Sequence, residues 1–82
     1  MEETRIAIIS IFVYERAASS QVNELLSQAG DYIVGRMGIP YHDKNVNVIS
    51  VVIDAPASII NSLTGKIGMI SGVTAKTLFS KQ

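Results

Sequence analysis

Arg36 and His42 are the two side chains in this 82-residue sequence whose type and setting could do chemistry. Arg36 stands in Gly35-Arg36-Met37-Gly38, inside the glycine-punctuated stretch that runs from Gly30 to Pro40. A guanidinium with small neighbours can hold a carboxylate or phosphate through two parallel hydrogen bonds. The competing use is a structural pair, with Asp54 or Glu24 or with a group across an interface. His42 is the only histidine and follows Tyr41 in a polar loop. Transition-metal sites combine several His, Cys or carboxylate ligands. The chain has no cysteine, so no metal site is expected within one chain. Two His42 side chains meeting across a symmetry axis is the remaining route; a solvated loop histidine is the plainer one. Arg36, Met37, Tyr41 and His42 together form the candidate ligand-binding surface.

Other chemistry-bearing patterns reduce to structure. Ser10, Ser50 and Ser71 fall on expected strands, with no base and orienting group assembled beside them. No catalytic residue is assigned and no cofactor is expected. Gly65-Lys66-Ile67-Gly68 follows a helix instead of opening one, so it is a turn and not a phosphate loop. Ferredoxin-like RNA binders stack bases on aromatics of their central strands, but the segment Asn47 to Asp54, read below as the third strand, carries no aromatic residue.

Seven basic and seven acidic residues cancel. There is no basic patch, so nucleic acid is not an expected partner. Hydrophobic residues make up 48% of the chain and mean hydropathy is +0.32. That is more apolar material than a small monomer hides easily. A membrane span needs about 20 consecutive apolar residues, and no such run exists. The excess therefore points to self-association. The chain opens with Met1 and two glutamates, which is not a signal-peptide start, and the cytoplasm is the expected location.

These residues must be positioned by six elements within one domain, residues 1–82. Met1 to Thr4 reads as a frayed start. Arg5 to Tyr14 is β-branched and aromatic, without Gly or Pro, and reads as a strand. Its alternate residues, Ile6, Ile8, Ser10, Phe12, Tyr14 and Ala7, Ile9, Ile11, Val13, make both faces largely apolar. Ser19 or Ser20 is placed to cap a helix to about Ala29, with Ala18, Val22, Leu25, Leu26 and Ala29 on its inner face. Gly30 is expected as a left-handed C-terminal stop. Tyr32 to Ile39 reads as a strand ended by Pro40, with Gly35 and Gly38 marking a bulge or close approach. After a loop, Asn47 to Asp54 returns as its hairpin partner. Asp54 or Ala55 caps a second helix, with Pro56 in its first turn, an inner stripe of Ile59, Ile60, Leu63 and Ile67, and a stop at Gly65. Met69 to Phe79 is the last strand, bulged at Gly72, and Ser80 to Gln82 is a tail.

The order β-α-β-β-α-β predicts an α+β, ferredoxin-like fold: a four-stranded antiparallel sheet with two helices on one face. The first and third strands are central and the glycine-bearing ones are edges. One sheet face is then left without helices while still carrying Ile and Val. A homo-oligomer, dimer or tetramer, joined through that face or through sheet edges, is the expected way to cover it.

Several segments carry a resemblance: Ile33-Val-Gly-Arg-Met-Gly-Ile-Pro-Tyr41, Val48-Ile-Ser-Val-Val-Ile-Asp54, Leu63-Thr-Gly-Lys-Ile-Gly68 and Gly72-Val-Thr-Ala-Lys76. Over nearly the whole chain these resemble the regulator family of the iron-only hydrogenase system. More distantly the chain is similar to ACT domains and to the C-terminal sensing domain of nickel-responsive repressors. The resemblance implies a non-enzymatic regulatory module that binds a small ligand or partner protein at an oligomer interface. A purely structural oligomerisation domain is the alternative. The nickel ligands and the DNA-binding arm of the repressors have no full counterpart here, so neither function is carried over. In ACT domains effectors sit near the first strand-to-helix loop; the matching segment, Tyr14 to Ser20, lacks that loop's glycine.

Overall fold

The computed structural model describes residues 3–81; the frayed start expected at Met1 and Glu2 and the tail residue Gln82 lie outside the described residues. The strands are β1 (Arg5–Val13), β2 (Ile33–Tyr41), β3 (Val46–Ala55) and β4 (Val73–Phe79), and the helices α1 (Ser19–Gln28) and α2 (Ala57–Gly68). They form one antiparallel sheet in the order β2-β3-β1-β4. This is the ferredoxin-like arrangement, with β1 and β3 in the centre.

The alternation of β1 decides which face the helices cover. Ala7, Ile9, Ile11 and Val13 are buried with Ile49, Val51, Ile53 and Ala55 of β3, against Val22 and Leu26 of α1 and Ile60, Leu63 and Ile67 of α2. Each fully buried Ile or Leu there stabilises the fold by roughly 1.5–3 kcal/mol. Thr64 ties α2 to the sheet: its hydroxyl donates to the Ile60 carbonyl (2.8 Å) and lies 2.5 Å from the Thr77 hydroxyl on β4. Thr64 has one O–H to give, so Thr77 is the donor in the second bond.

Several local expectations are corrected. Neither Ser19 nor Ser20 caps α1. A 3-10 turn at Arg16–Ala18 leads into the helix, so the cap position falls on Ala18. Gly30 is not left-handed, because the chain passes from Ala29 into a second 3-10 turn, Gly30–Tyr32. Asp54 and Ala55 stay in β3, and Pro56 itself takes the cap position of α2 at φ −56°, ψ 143°. A residue before proline is held extended, which keeps Ala55 in the strand. Gly65 does not stop α2, which runs on to Gly68. The fully buried Ile67 anchors that last turn, and its burial exceeds the ~1 kcal/mol cost of a mid-helix glycine. Gly72 is no bulge: it sits at φ +78° in the turn before β4.

Pro40 does not end β2. The bonds Tyr14 N–H to Gly72 and Ser80 N–H to Ile6 show that even-numbered β1 residues bond to β4. Odd-numbered ones therefore bond to β3, at Asn47, Ile49, Val51 and Ile53. That leaves Val46, Val48, Ser50 and Val52 to bond β2 at Tyr41, Ile39, Met37 and Gly35. Pro40 thus points its nitrogen away from the sheet, where an edge strand needs no donor. Of the two glycines expected to mark a bulge or close approach, only Gly35 adjoins one, a register shift between Ile33 and Gly35; Gly38 pairs regularly with Ile49, and nothing lies within 4 Å of a Cβ added at either.

Candidate functional site

Pairing places the four candidate residues on different surfaces. Arg36 lies opposite Val51, on the helix-covered side of β2. Its Nη2 donates to Oδ1 of Asn23 on α1 at 2.8 Å. Asp54 pairs with Ile6 on the other side of the sheet and is out of its reach; Glu24 is one residue further around α1 than the partner actually used. Met37 lies opposite Ser50 on the open face. Tyr41 and His42 sit at the end of the hairpin. Replacing Arg36 with alanine is expected to cost less than about 1 kcal/mol, because the bond is exposed. Chemical denaturation of R36A, N23A and the double variant checks this; a coupling well above 1 kcal/mol would contradict it.

Tyr41 and His42 do come together, in an open groove of about 430 Å³ at one end of the sheet. One wall is the β1–α1 connection, Tyr14, Glu15 and Arg16; the other is the β2–β3 turn, with Asn45 and Asn47. The first wall is held by Tyr14 N–H to Gly72 (2.7 Å) and Ala18 N–H to Glu15 (2.9 Å). The second is shaped by Asn45, left-handed at φ 58°, whose N–H bonds His42 at 3.2 Å. Asn47 spans the two, donating from Nδ2 to Ser19 Oγ at 3.4 Å. The Tyr14 ring stacks on Phe12 with centroids 6.4 Å apart.

The groove offers a guanidinium, a carboxylate, an imidazole, two carboxamides and two phenols. This is a recognition set for a small polar molecule, of a size common for ligand clefts. Arg5 is engaged by the Phe79 ring (4.3 Å) and the Ser80 carbonyl, and Arg36 by Asn23. Arg16 is the arginine in the groove. Sequence reasoning missed Asn45 and Asn47, and it raised the segment Tyr14 to Ser20 only through the ACT-domain resemblance, without naming Tyr14, Glu15 or Arg16 as site residues. The available signal was topological: in this strand order the end of β1 and the β2–β3 turn fall at the same end of the sheet.

The open face is the second surface. Ile6, Ile8, Phe12, Met37, Ile39, Tyr41 and Leu78 are each between 40% and 72% exposed on it. Ser10 and Ser50 pair at its centre, in a row that runs from Lys76 to Met37. Among the described residues no polar or charged side chain is buried, and no group of three His, Cys, Asp or Glu is placed to hold a metal ion. No helix among the described residues is long and apolar enough to cross a membrane.

A ferredoxin-like module with a terminal groove and an uncovered apolar sheet face is the class of protein this geometry defines. The chain belongs to the TM1266-like family, described as "Iron-only hydrogenase system regulator, putative", which matches residues 5–77. It is similar to the uncharacterized protein TM1266 from Thermotoga maritima, at 39% identity and a TM-score of 0.92, over 96% of this chain and 100% of that one. It also superimposes on part of a formyltetrahydrofolate deformylase from Pseudomonas putida KT2440, with a TM-score of 0.67 and 12% identity. That match covers 94% of this chain but only 29% of the deformylase, and it shows the fold alone. Among curated protein sequences, none matches the chain.

Proposed function

We propose that this protein is a cytoplasmic, non-enzymatic regulatory module of an iron-only hydrogenase system that works as a homo-oligomer. Two copies, as a dimer or within a tetramer, pack open face to open face. A small ligand or a partner protein binds at the edge of that assembly, in the groove that holds Tyr41 and His42. The family description supports the regulatory role. The observation that carries the assembly is the uncovered face itself. Its exposed Ile, Phe, Met, Tyr and Leu side chains form one apolar surface of the kind that subunit interfaces bury. Tyr41 belongs to both the face and the groove, so ligand binding and assembly share a side chain.

Sedimentation velocity at micromolar concentration tests the assembly. The wild-type chain is expected as a dimer or larger, and Ile8→Glu with Phe12→Glu as a monomer that stays folded. A wild-type monomer under those conditions rejects the reading.

A further inference from the structure

The two outer strands of the sheet end differently. On β2 the outward backbone positions are Arg36, Gly38 and Pro40, and the strand is irregular at Val34. Proline and a bulge both discourage another strand from pairing. β4 carries neither. Thr74, Lys76 and Leu78 bond inward to β1, so Ala75, Thr77 and Phe79 turn their N–H and C=O groups outward. The outward N–H of Val73 is already taken by the Ile70 carbonyl at 3.2 Å. Beside this edge, on the open face, stand exposed Lys76 and Leu78, the latter 72% exposed.

A second copy suits this edge poorly. Two β4 strands paired antiparallel in full register place Lys76 opposite Lys76, and like charges directly opposite destabilise a sheet. Sliding to centre on Thr77 keeps Ala75, Thr77 and Phe79 bonded but sets each Lys76 opposite the apolar Leu78, so neither register gives the ammonium a charge partner. An acidic residue opposite Lys76 has the reverse effect. We infer that the β4 edge takes an extended segment of a partner protein by strand addition. Ala75, Thr77 and Phe79 supply the main-chain bonds, an Asp or Glu of the segment faces Lys76, and an apolar residue two positions along faces Leu78. The main-chain groups of the edge lie outside the open face, while Lys76 and Leu78 stand on it; running the peptide test also on the Ile8→Glu, Phe12→Glu variant keeps failure of this inference distinguishable from failure of the face-to-face assembly.

The test uses isotope-labelled protein and two short peptides of alternating Val and Thr, one with a central Glu and one with a central Lys. With the Glu peptide, the amide signals of Ala75, Thr77 and Phe79 are expected to shift and their hydrogen exchange to slow. The Glu peptide is expected to bind roughly tenfold more tightly than the Lys peptide. Lys76→Glu should invert that preference without affecting folding. Ala75→Pro, which removes an outward N–H as Pro40 does on β2, should abolish binding. No perturbation at millimolar peptide overturns the inference, and so does equal affinity for both peptides. It is also overturned if wild type mixed with K76E forms a hetero-pair that protects those three amides.

Discussion

Ile9→Ala is expected to lower the melting temperature by roughly 10–30 °C. Ile9 is fully buried in the centre of β1, within the core cluster that includes residues of both helices. Truncating such a side chain removes its transfer energy and leaves a cavity the packed layers cannot close, a loss of about 2–5 kcal/mol. In a domain of this length each kcal/mol moves the midpoint by about 4–8 °C, and total stabilities are only about 5–15 kcal/mol. The adjacent Ile8 gives the control. It is 40% exposed on the open face, so Ile8→Ala is expected to cost the protomer less than about 1 kcal/mol while weakening association. Thermal melts at several protein concentrations separate the two effects. Equal, concentration-independent losses for both variants would show that the open face is packed within the protomer.

Gly72→Ala is expected to destabilise by about 2–4 kcal/mol, from two independent causes. At φ +78° an L side chain is strained whatever space surrounds it. Here there is also no space: an added Cβ lies within 2.6 Å of Glu15 Cβ, and the Glu15 backbone nitrogen is 3.4 Å away. The turn cannot move aside freely, because the Gly72 carbonyl accepts the Tyr14 N–H at 2.7 Å. Relief would therefore displace the Tyr14–Arg16 wall of the groove, and groove amides should shift with the stability loss. Gly65→Ala is the contrasting substitution. It lies inside α2 with nothing within 4 Å of the added Cβ, so a gain of about 0.5–1 kcal/mol is expected. Urea denaturation of the two variants decides the point. Similar effects at both glycines would mean that turn geometry at Gly72 is not what demands glycine there.

Element existence and order were legible in the chain. The alternation of Ala7, Ile9, Ile11 and Val13 against Ile6, Ile8, Ser10 and Phe12 marks a central strand with two apolar faces, and the stripe Val22, Leu26, Ala29 marks a helix. Periodicity reports which side of its own element a residue occupies; the order of elements, with strand glycines only in the segments read as the second and fourth strands, placed β1 and β3 in the centre. Boundaries were less legible. Gly65 and Pro40 read as stops because local propensity favours stopping there; burial of Ile67 overrode the first, and the phase of the sheet's hydrogen bonds made the second harmless.

What the sequence by itself determined was therefore the fold, most of the inner stripe of each helix and the existence of an uncovered apolar face; which of the two apolar faces of β1 lies under the helices was decided by the tertiary structure. Tertiary structure alone decided which polar groups meet. Arg36 and Met37 are adjacent in sequence yet on opposite sides of β2, so Arg36 goes to Asn23 and Met37 to the open face. Arg16 and His42 are far apart in sequence and share a groove because the strand order brings two loops to one end of the sheet. Such meetings depend on register and on how distant elements are placed, and no local pattern of residues carries that information.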